Sequence, residues 1–573
     1  MIFFCLGLML MTYLWMRRAE RGDTPQPWPA AITWNEPYVG YVNVACRIKG
    51  FEDICKSLLF LRDKNASICL PAFASGRELS LDFDEKYFEL YINGTRYTPG
   101  SSLDITDDAA LKILYSSDAY GTIERDYHLS ILRSENLPAL YLTTASGSME
   151  HMDADKEHLD SGRVTIIDSG GRTDTAARIS FMHAKGQSSF TLAKKSYKLE
   201  LERDTSLLGL PFDKKWVLVA NAMDASFMRN ALAYSLADKL EIEDTVQYRY
   251  VDAFFNGEYR GNYLLTQVAD HGFMEKYGNN PEDFLLEVET WEERLKDDSV
   301  YLKRGDSTWL EFLWPLSPRE DLKKSASAVL DKMDRLSGAD TDLQKETGVD
   351  FDSFARKYIL DELTNEPDSN SHSTFYFYSP EHGGFHAAPV WDYDRAWGNR
   401  PDYNKYPEFA SFTQGWQQMM MRSEYFRKMV KEKFAAIRPY LESVPRDVIP
   451  AMAAELEASV KMDYCINGDP ISSVYNAGSF DKNVRYLADY YRQSFISLSD
   501  YLADPNAFCT IHFISEEGRS LRLKKNEPVG NDRLRFLKNL YKCDGFETDN
   551  GDILTPDQCF DQSEILLKPV ISP

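Results

Sequence analysis

The sequence predicts a multidomain α+β protein. It reads as a β-rich N-terminal region, a central α+β domain with a helical lobe, and a small β module at the end. Three observations lead there. At 573 residues the chain exceeds one ordinary domain. An apolar fraction of 43% with 13% aromatic residues is globular in character. The period of the apolar residues also changes along the chain, from short alternating runs to helical spacing and back. These changes place boundaries at 1–23 (apolar leader), 24–37 (linker), 38–135 (β-sandwich), 136–505 (central domain) and 508–573 (β module). A formal charge of −24 excludes nucleic acid and acidic lipid as main partners, because neither offers counter-charge.

Residues Ile2 to Trp15 form an apolar run of signal-peptide length, short for a membrane span. No basic residue precedes it, while Arg17, Arg18 and Arg21 follow, so a cleaved signal and a membrane anchor at the N-terminus both stay open. Thr24 to Pro29 reads as a stiff proline-rich linker. From Tyr38 to Leu132 short strands alternate with turn signals: 78–83, 88–92, 110–115 and 126–132, with Asn93-Gly94 as a hairpin turn. That rhythm predicts a sandwich of immunoglobulin-like type, a spacer or adhesion module without chemistry of its own. The eight cysteines include no Cys-x-x-Cys pair, which argues against a zinc site.

The central domain opens with a strand at 137–144 and a turn at 168–172. On the strand expected over 192–202, Lys195, Tyr197, Leu199 and Leu201 share one face, and Lys198, Glu200 and Glu202 the other. Lys195 thereby falls on the inward face, where an ammonium needs a partner such as a phosphate or a route to solvent. A helix follows Asp224, and Asn256-Gly257 turns a hairpin. Phe351, Phe354, Tyr358, Ile359 and Leu363 then fall at helical spacing, and Pro367 ends that helix. Asp368 stands in the polar loop behind it. Strands at 374–378 and 385–390, joined around Gly383-Gly384, run into Asp392 and Asp394. Such a hairpin returns both ends to one place, so Asp368 and Asp392 can meet. Protein kinases combine a loop Asp, a hairpin and a metal-holding Asp in this order. The plainer alternative is a turn-capping Asp368 with Asp392 and Asp394 on a solvated strand end. Past Pro401, helices are expected at 424–441, 447–462 and 481–502 as a packing lobe.

Ordered motifs in this domain resemble the spore coat protein H (CotH) kinase family. They comprise Lys185-Gly186 with Ser188-Ser189, Lys194-Lys195, Leu208 to Leu210, Lys215 to Leu218, Asp224, Arg229-Asn230, Asn256 to Gly261, Asp368 with His372, and Pro389 to Asp394 with Gly398. The resemblance covers roughly 137–505. It implies an atypical protein-kinase-like domain that binds ATP and Mg2+ and transfers phosphate to a protein Ser/Thr hydroxyl. Asp368 and Asp392 are the implied catalytic acids. Asp392, Asp394 and Asp368, with Asn370 and Ser373, are candidate metal ligands. Lys195, Lys185, Lys198, Arg229 and Glu287 are candidate cofactor-binding residues. Lys185, Gln267 and Ser373 depart from the family pattern, which keeps open a pseudokinase serving as a surface adhesion or scaffold protein. Residues Asp544 to Phe546 and Thr548 to Asp552 resemble the Listeria–Bacteroides repeat of surface proteins. With the apolar leader, this implies an extracytoplasmic, secreted or surface-anchored setting and a protein substrate.

Overall fold

The computed structural model describes residues 39–571, apart from 106–107, 118–120, 270–275, 278–279, 306, 337–341, 370, 403, 411–414, 469–474, 515–519 and 549. The expected leader, the linker and Asn370 lie outside the described residues. The chain divides into two compact units. One runs up to Phe181 and adds Tyr250–Asn262 and Ala458–Gly468; the other holds the remainder. Among the described residues, no helix is long and apolar enough to cross a membrane.

The first unit begins with β1 (Val39–Ile48), β2 (Lys56–Arg62), β3 (Asn65–Leu70), β4 (Leu79–Asp82), β5 (Phe88–Ile92), β6 (Thr95–Tyr97), β7 (Asp108–Ser117) and β8 (Gly121–Arg133). The strands form much as expected. Asn93 and Gly94 take φ of 48° and 79°, which suits a tight two-residue hairpin turn between β5 and β6. Their assembly differs from an immunoglobulin-like sandwich. All eight join one hydrogen-bonded sheet in the order β4-β1-β2-β3-β8-β7-β5-β6, with β3 parallel to β8. Alternation tells which face of a strand is apolar but not which strand it pairs with. Val44, Leu61, Ile68, Leu90 and Leu129 form part of the core of this region. The seven described cysteines are free thiols.

Next, β9 (Ala139–Thr144), β10 (Asp160–Ile167), β11 (Thr173–Lys185), β12 (Ser196–Thr205), β13 (Asp213–Val219), β14 (Tyr248–Phe255) and β15 (Glu258–Gln267) close a barrel in the order β10-β11-β12-β13-β15-β14-β9. Tyr197, Leu199 and Leu201 of β12 point inward, as their alternation predicts. The strand starts later than expected: after a short 3₁₀ turn at Ser188–Thr191 the chain bends at 192–194 before it extends.

The second unit also carries β16 (Phe284–Glu289), β17 (Tyr301–Arg304), β18 (Thr308–Trp314), β19 (Phe375–Ser379) and β20 (Gly384–His386) in the order β17-β18-β16-β19-β20. The helix Phe351–Thr364 precedes β19 and is buried along nearly its whole length. Helices Glu424–Ser443, Ile449–Asn467 and Phe480–Ala503 occupy the region read as a helical lobe. The last sheet joins β21 (Phe409–Ala410), β22 (Phe508–Phe513), β23 (Ser520–Lys524), β24 (Gly545–Thr548) and β25 (Glu564–Val570) in the order β21-β23-β22-β25-β24. Because β22 and β25 run parallel, the chain needs a long crossover, and the helix Asn531–Leu540 lies within it. Arg522 of β23 pairs with Glu362 on the helix Phe351–Thr364, so this sheet bears directly on the element that leads into Asp368.

Candidate active site

The site is built on the helix Phe351–Thr364. Asp350 caps its start by accepting from the Asp352 and Ser353 amides at 2.9 and 3.3 Å. Asn365 ends it in the left-handed region, at φ 48°. The chain then turns through Glu366 and Pro367 to Asp368, whose carbonyl accepts from the Ser371 and His372 amides, each at 3.0 Å. A buried pair under this loop holds it. Asp361 lies 3.0 Å from the Lys357 ammonium and accepts from Ser369, Gln417 and Tyr393. From there β19 and β20 pair, and a single bridge between Thr374 and Val390 closes the two ends of the hairpin. The expected return of both carboxylates to one place follows from this bridge.

Asp392 emerges beyond it at φ 63°, a conformation that a non-glycine residue adopts at a cost. The neighbouring backbone is held on several sides. Tyr393 donates its amide to Asn230 Oδ1 at 2.7 Å. Arg229 donates Nε to the Ala396 carbonyl at 2.8 Å and a terminal nitrogen to the Trp397 carbonyl at 3.4 Å. Gly398, at φ 71°, must be glycine: a Cβ there would stand 2.5 Å from the Tyr486 hydroxyl and the Tyr490 ring.

The result is a cluster of four carboxylates around one guanidinium. Arg395 places Nη1 2.9 and 3.2 Å from the two oxygens of Asp368. Asp392, Asp394 and Glu366 are the other acids that act on it electrostatically. Asp394 and Glu366 are both held well above the usual carboxylate range. For Asp394 the cause is burial, then the charge of Asp392. For Glu366 it is burial, then the charge of Asp368. Asp392 is raised by the protein crowded around it and by Asp368, with Lys185 and Arg395 pulling the other way. One side of Asp392 nevertheless stays open to solvent. Glu366 Oε2 is buried without a hydrogen-bond partner.

Lys185, at the end of β11, lies between two acids. Its ammonium sits 4.7 Å above the Trp391 ring and acts on both Asp392 and Glu287. Glu287, on β16, is pushed up to about 7 by burial and by Glu311 across the ladder, with Lys296 and Lys185 opposing. Lys195 is placed differently. Its ammonium donates to the carbonyls of Phe190 and Leu192 at 2.6 and 2.9 Å, binding the 3₁₀ turn to the foot of β12. The more deeply buried lysine is Lys194, over the rings of Tyr263 and Phe227. Lys198 is half-buried on the other face of β12. Arg229 is buried against Asp224 as a structural clamp. Gln267 donates to Asp213 at 3.2 Å. Ser373 takes φ 48° at the start of the hairpin, and His372 contacts Glu289 at 2.8 Å.

Glu366 and Arg395 belong to the cluster but were absent from the sequence-derived candidates. Both lie within three residues of a candidate acid, and the left-handed turn at Asn365 is what brings Glu366 round. Four acids stand against one guanidinium and one ammonium, and their oxygens are hard donors of the kind Mg2+ takes. Asp392, on its open side, and the unpartnered Glu366 oxygen are the ones that would face such an ion.

The helix, loop and hairpin thus carry an acidic, oxygen-lined centre. Residues 182–495, more than half of the chain, match the family model described as CotH kinase protein, and the chain belongs to that family. Membership supports a kinase-like, phosphotransferase function in general. No curated protein matches the chain.

Proposed function

We propose that the protein is an atypical, extracytoplasmic protein kinase that uses Mg-ATP to modify a Ser/Thr hydroxyl of a protein substrate. The observation that carries this reading is the convergence of Asp368, Asp392, Asp394 and Glu366 beside Lys185. Asp392 and Asp394 would hold magnesium, which when bound neutralises phosphate charge and orients the group to be transferred. Lys185, set between Glu287 and Asp392, supplies positive charge at the place where a nucleotide phosphate needs it. Asp368 orients the acceptor hydroxyl and takes its proton. Arg395, bonded to both oxygens of Asp368, fixes its direction. Lys195 shapes the turn 188–191 beside Lys185. The apolar leader and the C-terminal resemblance to a surface-protein repeat support export, with the leader either removed or kept as an anchor.

One observation favours a second reading. The Arg395–Asp368 pair already occupies the acid that would orient an acceptor, as expected of a pseudokinase retained as a scaffold. Labelled phosphate transfer from ATP, measured beside ATP affinity with and without Mg2+, separates the two. Transfer by the wild type that vanishes in Asp368→Ala supports the enzyme. Magnesium-dependent binding without transfer to any protein supports the scaffold.

A further inference from the structure

Away from these acids, three segments meet at a second cluster. Glu243 lies in the loop after the helix Arg229–Lys239, Asp350 caps the helix Phe351–Thr364, and His386 ends β20. His386 is 1% exposed, and its ring stacks on Phe377 with centroids 4.3 Å apart. Its Nε2 lies 2.8 Å from the His382 carbonyl. A carbonyl can only accept, so Nε2 carries the hydrogen and Nδ1 is left to face the acids. Glu243 Oε2 stands 3.0 Å from Nδ1 and Asp350 Oδ2 3.2 Å from it. A lone pair facing two carboxylate oxygens is repulsive, so a cation must lie among them. A proton on Nδ1 is one candidate and a metal ion the other; neither Nδ1 nor Glu243 Oε2 makes a hydrogen bond of ordinary geometry, and the three donor atoms converge on one point.

We propose that Glu243, Asp350 and His386 form a structural site for a divalent transition metal, with Zn2+ the best match. The three donor atoms lie within 4.8 Å of one another. One imidazole and two carboxylates suit zinc, whose bonds of about 2.0–2.2 Å place tetrahedral ligands about 3.3–3.6 Å apart. The two spacings to Nδ1 need only a few tenths of an ångström of adjustment. Metal-binding histidines commonly donate their other ring N–H to a backbone carbonyl, as His386 does here. Glu243, with 39% of its side chain exposed, leaves a route for entry and room for a water as fourth ligand. The metal would tie together the roots of both arms of the candidate active site, since Asp350 starts the helix leading to Asp368 and β20 leads to Asp392.

The test uses the full chain, stripped by chelator dialysis and titrated with Zn2+ against a chromophoric chelator. Co2+ absorption then reports the coordination geometry. The proposal expects one tight site per chain, a four-coordinate cobalt spectrum and a rise in the unfolding midpoint on adding Zn2+. Affinity should fall by about 10–100-fold or more in Glu243→Gln and in His386→Gln, and stay unchanged in Asp392→Ala. Glu243→Gln guards against a misfolded His386 variant, since its side chain reaches solvent. Absence of a tight zinc site overturns the proposal and leaves a proton as the occupant. Binding that survives both substitutions, or is lost in Asp392→Ala, also overturns it, by placing the metal elsewhere.

Discussion

Two arginine–aspartate pairs bear on the segment 395–397 and serve opposite ends. Asp224 and Arg229 are 0% and 1% exposed, and every group on them has a use: the guanidinium binds Asp224, the Ser226 hydroxyl and the Ala396 and Trp397 carbonyls. Asp368 and Arg395 are 30% and 16% exposed, and three further carboxylates crowd the guanidinium. The first pair is balanced and closed. The second gathers more acids than cations and opens to solvent. A buried ion pair that is saturated holds a fold, whereas one left out of balance marks a place where something charged has yet to arrive.

The widest separation between the pairs should appear on substituting the acids of the second. Asp368→Ala leaves Arg395 facing Glu366, Asp392 and Asp394, so the fold should persist while phosphate transfer falls by about 10²–10⁴-fold. Asp392→Ala should weaken magnesium-dependent ATP binding as well, which equilibrium binding with and without Mg2+ would show. In the balanced pair the loss should fall on folding instead. Arg229→Ala strands Asp224 in the interior and should cost about 3–5 kcal/mol in denaturant titration. A result below about 1 kcal/mol would erase the contrast drawn above.

Gly398→Ala tests the support of the acidic turn without touching charge. The clash with Tyr486 and Tyr490 should cost about 1–3 kcal/mol and lower ATP affinity through misplaced Asp392 and Asp394. The smallest effect concerns pH. Glu287 is raised from 4.5 to about 7, so the folded protein binds this proton more tightly than the unfolded chain. Its contribution is fully present below about pH 4.5 and is lost as pH rises through 7. Glu287→Gln should therefore flatten the decline in melting temperature over that interval. An unchanged profile would mean that Lys185 and Lys296 fully compensate the burial.

Much of this centre was legible in the chain because local chemistry dictated it. The spacing of Phe351, Phe354, Tyr358 and Leu363 marked the helix, and Gly383-Gly384 marked the turn that returns Asp392 toward Asp368. What escaped was set by distant partners. Alternation placed Lys195 on the inward face, but the 3₁₀ turn before β12 captured its ammonium and left Lys185 beside Asp392. The N-terminal strands were visible, yet the parallel pairing of β3 with β8 depends on residues some sixty positions apart and leaves no local mark. The helix Asn531–Leu540 was missed despite a signal, since Leu534, Leu537 and Leu540 recur at helical spacing on its buried face.

The Arg229 clamp also says something about the order of events during synthesis. Its bond to Asp224 spans five residues and can form as soon as that segment leaves the ribosome. The carbonyl of Ala396 that it also holds lies 167 residues further along. Ribosomes add about 5–20 residues per second, so the guanidinium waits roughly ten to thirty seconds for its second set of partners. Throughout that interval the turn that carries Asp392 and Asp394 is not yet made, and the acidic cluster cannot assemble until its last supports arrive.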